Sequence, residues 1–269
     1  MRSIWLFAVF AILTSGTVAQ KRGQHGPQGA PRGPMGGAQA NPLIRKLLES
    51  RDKVKFTGIR VIQHLESDER KIVTERVWRD GHRIKTEATD GPNKGKIAIE
   101  DARQRQEWIP ADNTVRTSPA RENEFFLRFG RMGGFGRRPL PLVESDGGRI
   151  AGVMTRLLVS KGPDGKVEAQ AWIDPVHGVL LKFQSFDREG RRNSYLEYTN
   201  IKFDATFIAG TFRLDKPGAK YLTPQDDLRR FARELGMKPY TFPPQSPWEL
   251  VAVRKMELKG TKVLMQHFR

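Results

Sequence analysis

The chain has no cysteine. Thiol catalysis, disulfide staples and cysteine-ligated zinc are therefore excluded, and the fold must rest on an ordinary apolar core. Histidine is scarce too: His25, His64, His82, His177 and His267 are spread out, with no pair at metal-ligand spacing. There is no G-x-S-x-G elbow, no Walker A sequence and no H-E-x-x-H helix. The glycine-rich run "FGRMGGFGRRPLP" lacks the G-x-G-x-x-G order and has no strand–helix unit around it, so it is not a phosphate cradle. These absences point away from an enzyme, and they imply no cofactor and no metal.

Acidic residues are in deficit, 30 against 47 Lys and Arg, for a formal charge of +17. The apolar run Ile4 to Leu13 is well short of the roughly 20 residues a membrane span needs. It has the make-up of a secretory leader instead, with Arg2 before it and the small-residue site Thr17-Val18-Ala19 after it. Cleavage is expected after Ala19, with export to the periplasm or cell envelope as a soluble chain. No cysteine follows the leader, so lipid modification there is excluded. Export removes nucleic acid from the partners of a basic protein. It leaves an anionic membrane surface, lipopolysaccharide, wall polymers and acidic proteins.

About 250 residues remain, enough for one large core or two modest ones. Residues 20–40, "QKRGQHGPQGAPRGPMGGAQA", have almost no large apolar group to offset their ordering entropy and read as a disordered tether. Order is expected to begin at "NPLIRKLLES", where Asn41 suits an N-cap, Pro42 the first helical position, and Leu43, Ile44, Leu47 and Leu48 form an apolar stripe. From Val54 to about Phe212 the pattern has period two. "KFTGIRVIQHL" opens it, and Asp80-Gly81 sits between two alternating runs as a hairpin turn. Further strands are expected at "KIAIED", "RQEWIP", "TVRTS", "RIAGVMTRLLVSK", "VEAQAWID", "GVLLKFQSFD", "RNSYLEYTNIKF" and "GTFRL". Tight turns between them imply an antiparallel meander, and the lack of crossover helices disfavours a doubly wound sheet. At "TPQDDLRRFARELG" the period becomes helical, with Thr223 as cap, Asp226 and Asp227 in the first turn, and Gly236 as stop. A Pro-rich connector and two strands about Lys259-Gly260 complete the chain.

Two stretches are candidates for chemistry or binding. Arg128, Arg131, Arg137 and Arg138 surround Phe135 in the basic glycine-rich run, a mix suited to an anionic, partly apolar ligand or an acidic protein segment. The same composition also suits a solvated loop between strands. In "AWIDPVHGVLLKFQSFDREG", Asp174 and His177 have the spacing of an acid–base or metal pair. Asp before Pro starts a turn, however, and Gly178 supplies a positive φ at its exit; no third group for catalysis is in evidence. The hairpin reading is preferred, with Trp172 and the strand after the turn as core or cavity wall. Glu144 and Asp146 are the remaining carboxylates weighed for a hydrolase, which needs a cleft that the sequence does not show.

That hairpin also carries a resemblance. Trp172, Asp174, Gly178, Leu181 and Lys182 fit the W-x-D-x-x-x-G-L-x-L-K pattern of periplasmic lipoprotein-binding proteins, with Val179 at the first Leu position. "RIAGVMTRLLVS" resembles that family's G-R-x-A-x-x-L strand, "FTGIRVIQHL" its opening Y-x-G-x-x-V strand, and "RVWRDGHRIKTEA" its D-G-x-R hairpin. The chain thus resembles the LolA-like proteins and, through its C-terminal extension, the MucB/RseB sigma-factor regulators. The resemblance implies an α+β fold: a strongly curved antiparallel half-barrel covered by short helices, plus a small C-terminal strand pair. It implies a non-enzymatic protein that binds an envelope protein such as an anti-sigma factor, or a lipid-like ligand. The alternative is an acyl-chain and lipoprotein carrier for outer-membrane lipoprotein sorting. The expected division is residues 1–19 signal peptide, 20–40 tether, 41–222 sheet domain, and 223–269 helix, connector and partial C-terminal domain.

Overall fold

The computed structural model describes residues 41–66, 69–120, 142–243, 245–258 and 260–268. Helix α1, Pro42–Ser50, starts as its sequence demands: the Asn41 side chain accepts from the Leu43 N–H at 2.9 Å, and Pro42 occupies the first turn. Leu43, Ile44 and Leu47 form its buried stripe.

Six strands follow as one meander: β1 Lys55–Glu66, β2 Glu69–Asp80, β3 Arg83–Asp90, β4 Ile97–Glu100, β5 Gln104–Ile109 and β6 Thr114–Pro119. A second meander holds β7 Leu142–Ile150, β8 Val153–Lys161, β9 Val167–Ile173, β10 Leu180–Phe186 and β11 Arg192–Phe203. The first and last long strands, β1 and β11, pair antiparallel and fuse the meanders. A short strand, β12 (Lys220–Leu222), adds in parallel to β6, so the order is β12-β6-β5-β4-β3-β2-β1-β11-β10-β9-β8-β7. The sheet is a strongly curved, unclosed half-barrel. Helix α2, Pro224–Leu235, and the hairpin β13 (Leu250–Leu258) and β14 (Thr261–Phe268) complete the described chain. None of these helices is long and apolar enough to cross a membrane.

Two strand assignments from the sequence need correction. "RIAGVMTRLLVSK" is not one strand: Ala151 (φ 48°) and Gly152 (φ 83°) turn the chain between β7 and β8. Alanine is an uncommon residue for that conformation, so Gly152 was the one local signal of the turn. "GTFRL" is not a strand either; residues 210–214 belong to the irregular segment 204–219, which lies against the outer face of β1–β6. Asp80-Gly81 does form the β2–β3 turn, with Gly81 at φ 59°.

Sheet alternation and register place side chains on two faces. On the concave face of β8–β11, Leu158, Ala171 and Phe183 pack against α1 with Leu43, Ile44 and Leu47. Beside them Phe56, Val77, Val179, Leu181 and Tyr198 make a second apolar cluster, in which the Phe56 and Tyr198 rings meet edge to face at 5.7 Å. Gly58 sits in this cluster because a Cβ there would lie 2.8 Å from the Asn200 carbonyl oxygen and 3.1 Å from the Tyr198 ring. Trp172, expected as core or cavity wall, alternates to the outer face instead, with the Lys182 ammonium 5.1 Å from its ring.

Candidate functional site

The Asp174–His177 pair can be judged first. Asp174 is fully buried; one carboxylate oxygen accepts the Val176 N–H at 2.7 Å and the other lies 2.6 Å from His177 Nδ1. The Gly178 N–H donates to the Asp174 carbonyl, and the Asp174 N–H to the Val179 carbonyl. The imidazole stacks on Phe203 with ring centres 3.8 Å apart. Both carboxylate oxygens are thus engaged in closing the β9–β10 turn. Among the described residues no group of three or more His, Asp or Glu side chains is placed to hold a metal ion. Gly178, at φ 67°, lies against the end of α1: a Cβ would meet the Lys46 carbonyl oxygen at 2.7 Å, and the Ser50 hydroxyl donates to the Gly178 carbonyl at 2.7 Å. The pair shapes a turn that holds the helix.

The helix closes over a cavity of about 920 Å³ in the concave face. That volume lies in the range of small-molecule sites, roughly 300–1,000 Å³. One wall is apolar, built from Leu47 of α1, Val54, Phe56, Ile62, Phe183 and Leu196. The adjoining wall on β2–β5 is charged, and the register explains why; Asp164, Lys166, Glu168, Asp187 and Arg188 line the cavity as well. Across the sheet, Phe56 pairs with Arg79, Arg79 with Ile84, Ile84 with Glu100, and Glu100 with Arg105, which aligns these side chains on one face. A neighbouring row runs from Tyr198 through Arg60 to Glu75.

Each guanidinium is held. Arg60 donates to Glu75 from Nε at 3.0 Å and from a terminal nitrogen at 2.9 Å. Burial alone would lower its basicity, but Tyr198 and Glu75 outweigh that and hold it above the usual arginine value. Arg79 donates to the Gly81 carbonyl at 2.9 Å and to the Arg51 carbonyl at 3.0 Å, where the cation also meets the negative end of α1. Arg105 bonds Glu107 at 2.8 Å and Glu100 at 3.1 Å; those carboxylates outweigh burial and raise its basicity. Lys96 adds an ion pair to Glu107 at 3.2 Å. The wall thus presents fixed polar groups with little net charge.

Of this cavity the sequence marked one part, the strand after the 174–178 turn, from which Leu180, Phe183 and Phe186 line it; the charged wall was not marked. Arg128, Arg131, Phe135, Arg137 and Arg138 lie outside the described residues. Glu144 and Asp146 sit on edge strand β7, away from the cavity lining: Glu144 bonds Arg156 at 3.0 Å, and Asp146 accepts the Gly148 N–H at 2.8 Å. The charged wall did have a signal. With the Asp80-Gly81 turn fixed, alternation puts Glu75, Val77 and Arg79 on one side of β2.

No family model matches the sequence, and no curated protein matches it. Solved structures resemble it in fold. An uncharacterized conserved protein from Thermus thermophilus is 12% identical, covers 67% of this chain and 96% of its own length, and gives a TM-score of 0.48. The Pseudomonas aeruginosa MucA/MucB complex gives 16% identity, 86% and 76% coverage, and a TM-score of 0.42. A LolA superfamily protein from Nitrosomonas europaea gives 13% identity, 65% and 98% coverage, and a TM-score of 0.32.

Proposed function

We propose that this chain is an exported, non-enzymatic binding protein that holds an amphipathic ligand in its concave cavity. The carrying observation is the division of the cavity walls. An acyl chain or other apolar segment fits against Leu47, Phe56, Ile62, Phe183 and Leu196. The ligand's polar end fits the guanidinium–carboxylate wall at Arg79, Glu100 and Arg105, which offers both donors and acceptors. The C-terminal extension, through which the sequence resembles the MucB/RseB regulators, motivates placing it in envelope-stress signalling, with an anti-sigma factor as the protein partner. The apolar wall equally suits an acyl carrier in lipoprotein sorting.

The test is titration with a fluorescent fatty acyl probe. Saturable binding is expected for the wild type, and Ile62→Trp, which fills the apolar half, weakens it about tenfold or more, equivalent to ~1.4 kcal/mol. Absence of saturable binding overturns the reading. Regulation is separated from transport by recovery of partners from envelope extracts: an anti-sigma factor favours the first, acylated lipoproteins the second. The basic run is proposed as part of the partner surface, so Arg131→Ala, Arg137→Ala and Arg138→Ala together should reduce that recovery.

A further inference from the structure

Residues 204–219 lie against the outer face of the β1–β6 meander and make there a surface of aromatic rings flanked by cations. Phe207 and Phe212 pack edge to face with ring centres 5.2 Å apart, and Arg83 lies 5.1 Å from the Phe212 ring. Trp78, on the same outer face, lines a shallow depression with Lys85 and residues 206–211. Its ring is flanked by the Lys85 ammonium at 4.9 Å and the Arg76 guanidinium at 5.7 Å. Between the two phenylalanines Ile208 is 84% exposed, and Ile59, cross-strand from Arg76, is 39% exposed.

A lone exposed isoleucine needs no explanation. Here the exposed aliphatic groups sit among aromatic rings, and the rings are flanked by cations. That composition matches the boundary of a lipid bilayer, where Trp and Phe occupy the headgroup level and Lys or Arg meet anionic headgroups. We propose that this outer face docks peripherally on an anionic membrane surface, with Ile208 entering the headgroup region and Arg76, Arg83 and Lys85 contacting lipid phosphates. Charge complementarity selects the bilayer: on this face Lys55, Arg76, Arg83 and Lys85 outnumber Asp80, which pairs with Arg83 and Lys55, and Glu87, cross-strand from Arg76. The cavity opens on the opposite face of the sheet, so a docked molecule keeps it accessible, whatever the cavity holds.

Vesicle co-sedimentation of the full chain tests this. Vesicles of phosphatidylcholine with phosphatidylglycerol are compared with pure phosphatidylcholine vesicles, and three variants are compared with the wild type in the same background. Ile208→Asp changes an exposed side chain, so the fold is retained, and affinity for the anionic vesicles should fall several-fold. Arg76→Gln with Arg83→Gln should lower it by more than about tenfold, since each cation near an anionic surface contributes about a factor of five. The charge-matched control, Arg45→Gln with Lys46→Gln on exposed positions of α1, should change it little, because those groups face away and are screened. Equal losses in the two charge pairs, or an unchanged Ile208→Asp variant, overturn the proposal. So does equal binding to both vesicle types.

Discussion

The two halves of the sheet solve the problem of a curved surface in opposite ways. In β8–β11 the apolar side faces inward and is covered by α1. In β2–β6 the inward side carries Glu75, Arg79, Glu100, Arg105 and Glu107, while Ile99 and Val115 are buried on the outer side, which residues 204–219 cover. One continuous sheet thus changes the chemistry of its concave face along the strand order. The crossover lies at β1, where Phe56 and Ile62 share the inner face with Arg60. A uniformly apolar interior would bind any grease. A divided one orients a molecule with two different ends.

The comparison can be broken most severely in the charged half. Arg105→Met removes the cation that pairs with both buried carboxylates, Glu100 and Glu107, and should cost about 3–5 kcal/mol in urea unfolding. Adding Glu100→Leu and Glu107→Leu should recover much of that loss; if the triple variant is less stable than Arg105→Met alone, the wall is not a compensated ion network. In the apolar half, Leu158→Ala removes a side chain that is 1% exposed beneath α1 and should cost about 2–5 kcal/mol without altering the pH dependence of stability.

Smaller effects probe what fastens the halves to their covers. Gly178→Ala forces a left-handed residue and a contact with the Lys46 carbonyl, so a loss of roughly 1–3 kcal/mol is expected from thermal unfolding. The smallest effect concerns α2. The Thr223 backbone N–H and hydroxyl, with Arg229, hold the Asp226 carboxyl down at about 2 against an ordinary 3.8. A depressed carboxyl stabilises the fold above its unfolded value, and that contribution disappears as pH falls from about 4 through about 2. Asp226→Asn should flatten this limb of the stability profile, while leaving the behaviour of the apolar half unchanged.

Much of this frame is legible in the residues themselves. Asn41, Thr223 and Gly236 mark helix ends because caps act locally, through the nearest backbone groups. Asp80-Gly81 and the stretch 174–178 mark turns for the same reason. The divided cavity is different. Alternation tells which residues of a strand share a face, but the face that becomes the interior is chosen by covers remote in sequence from the strand itself, here α1 and segment 204–219. Charged residues on β4 and β5 read naturally as solvent-facing, and only the assembled sheet turns Glu100 and Arg105 inward. Likewise Ala151 concealed a turn, since nothing in its side chain favours φ 48°.

The most direct test of the divided cavity is a crystal structure of the protein with a fatty acid brominated at its tail end. The anomalous bromine peak should lie in the apolar half, beside Leu47, Phe183 and Leu196, with the carboxylate toward Arg79 and Arg105. A bromine against the charged wall, or on the outer face of the sheet, would contradict the account.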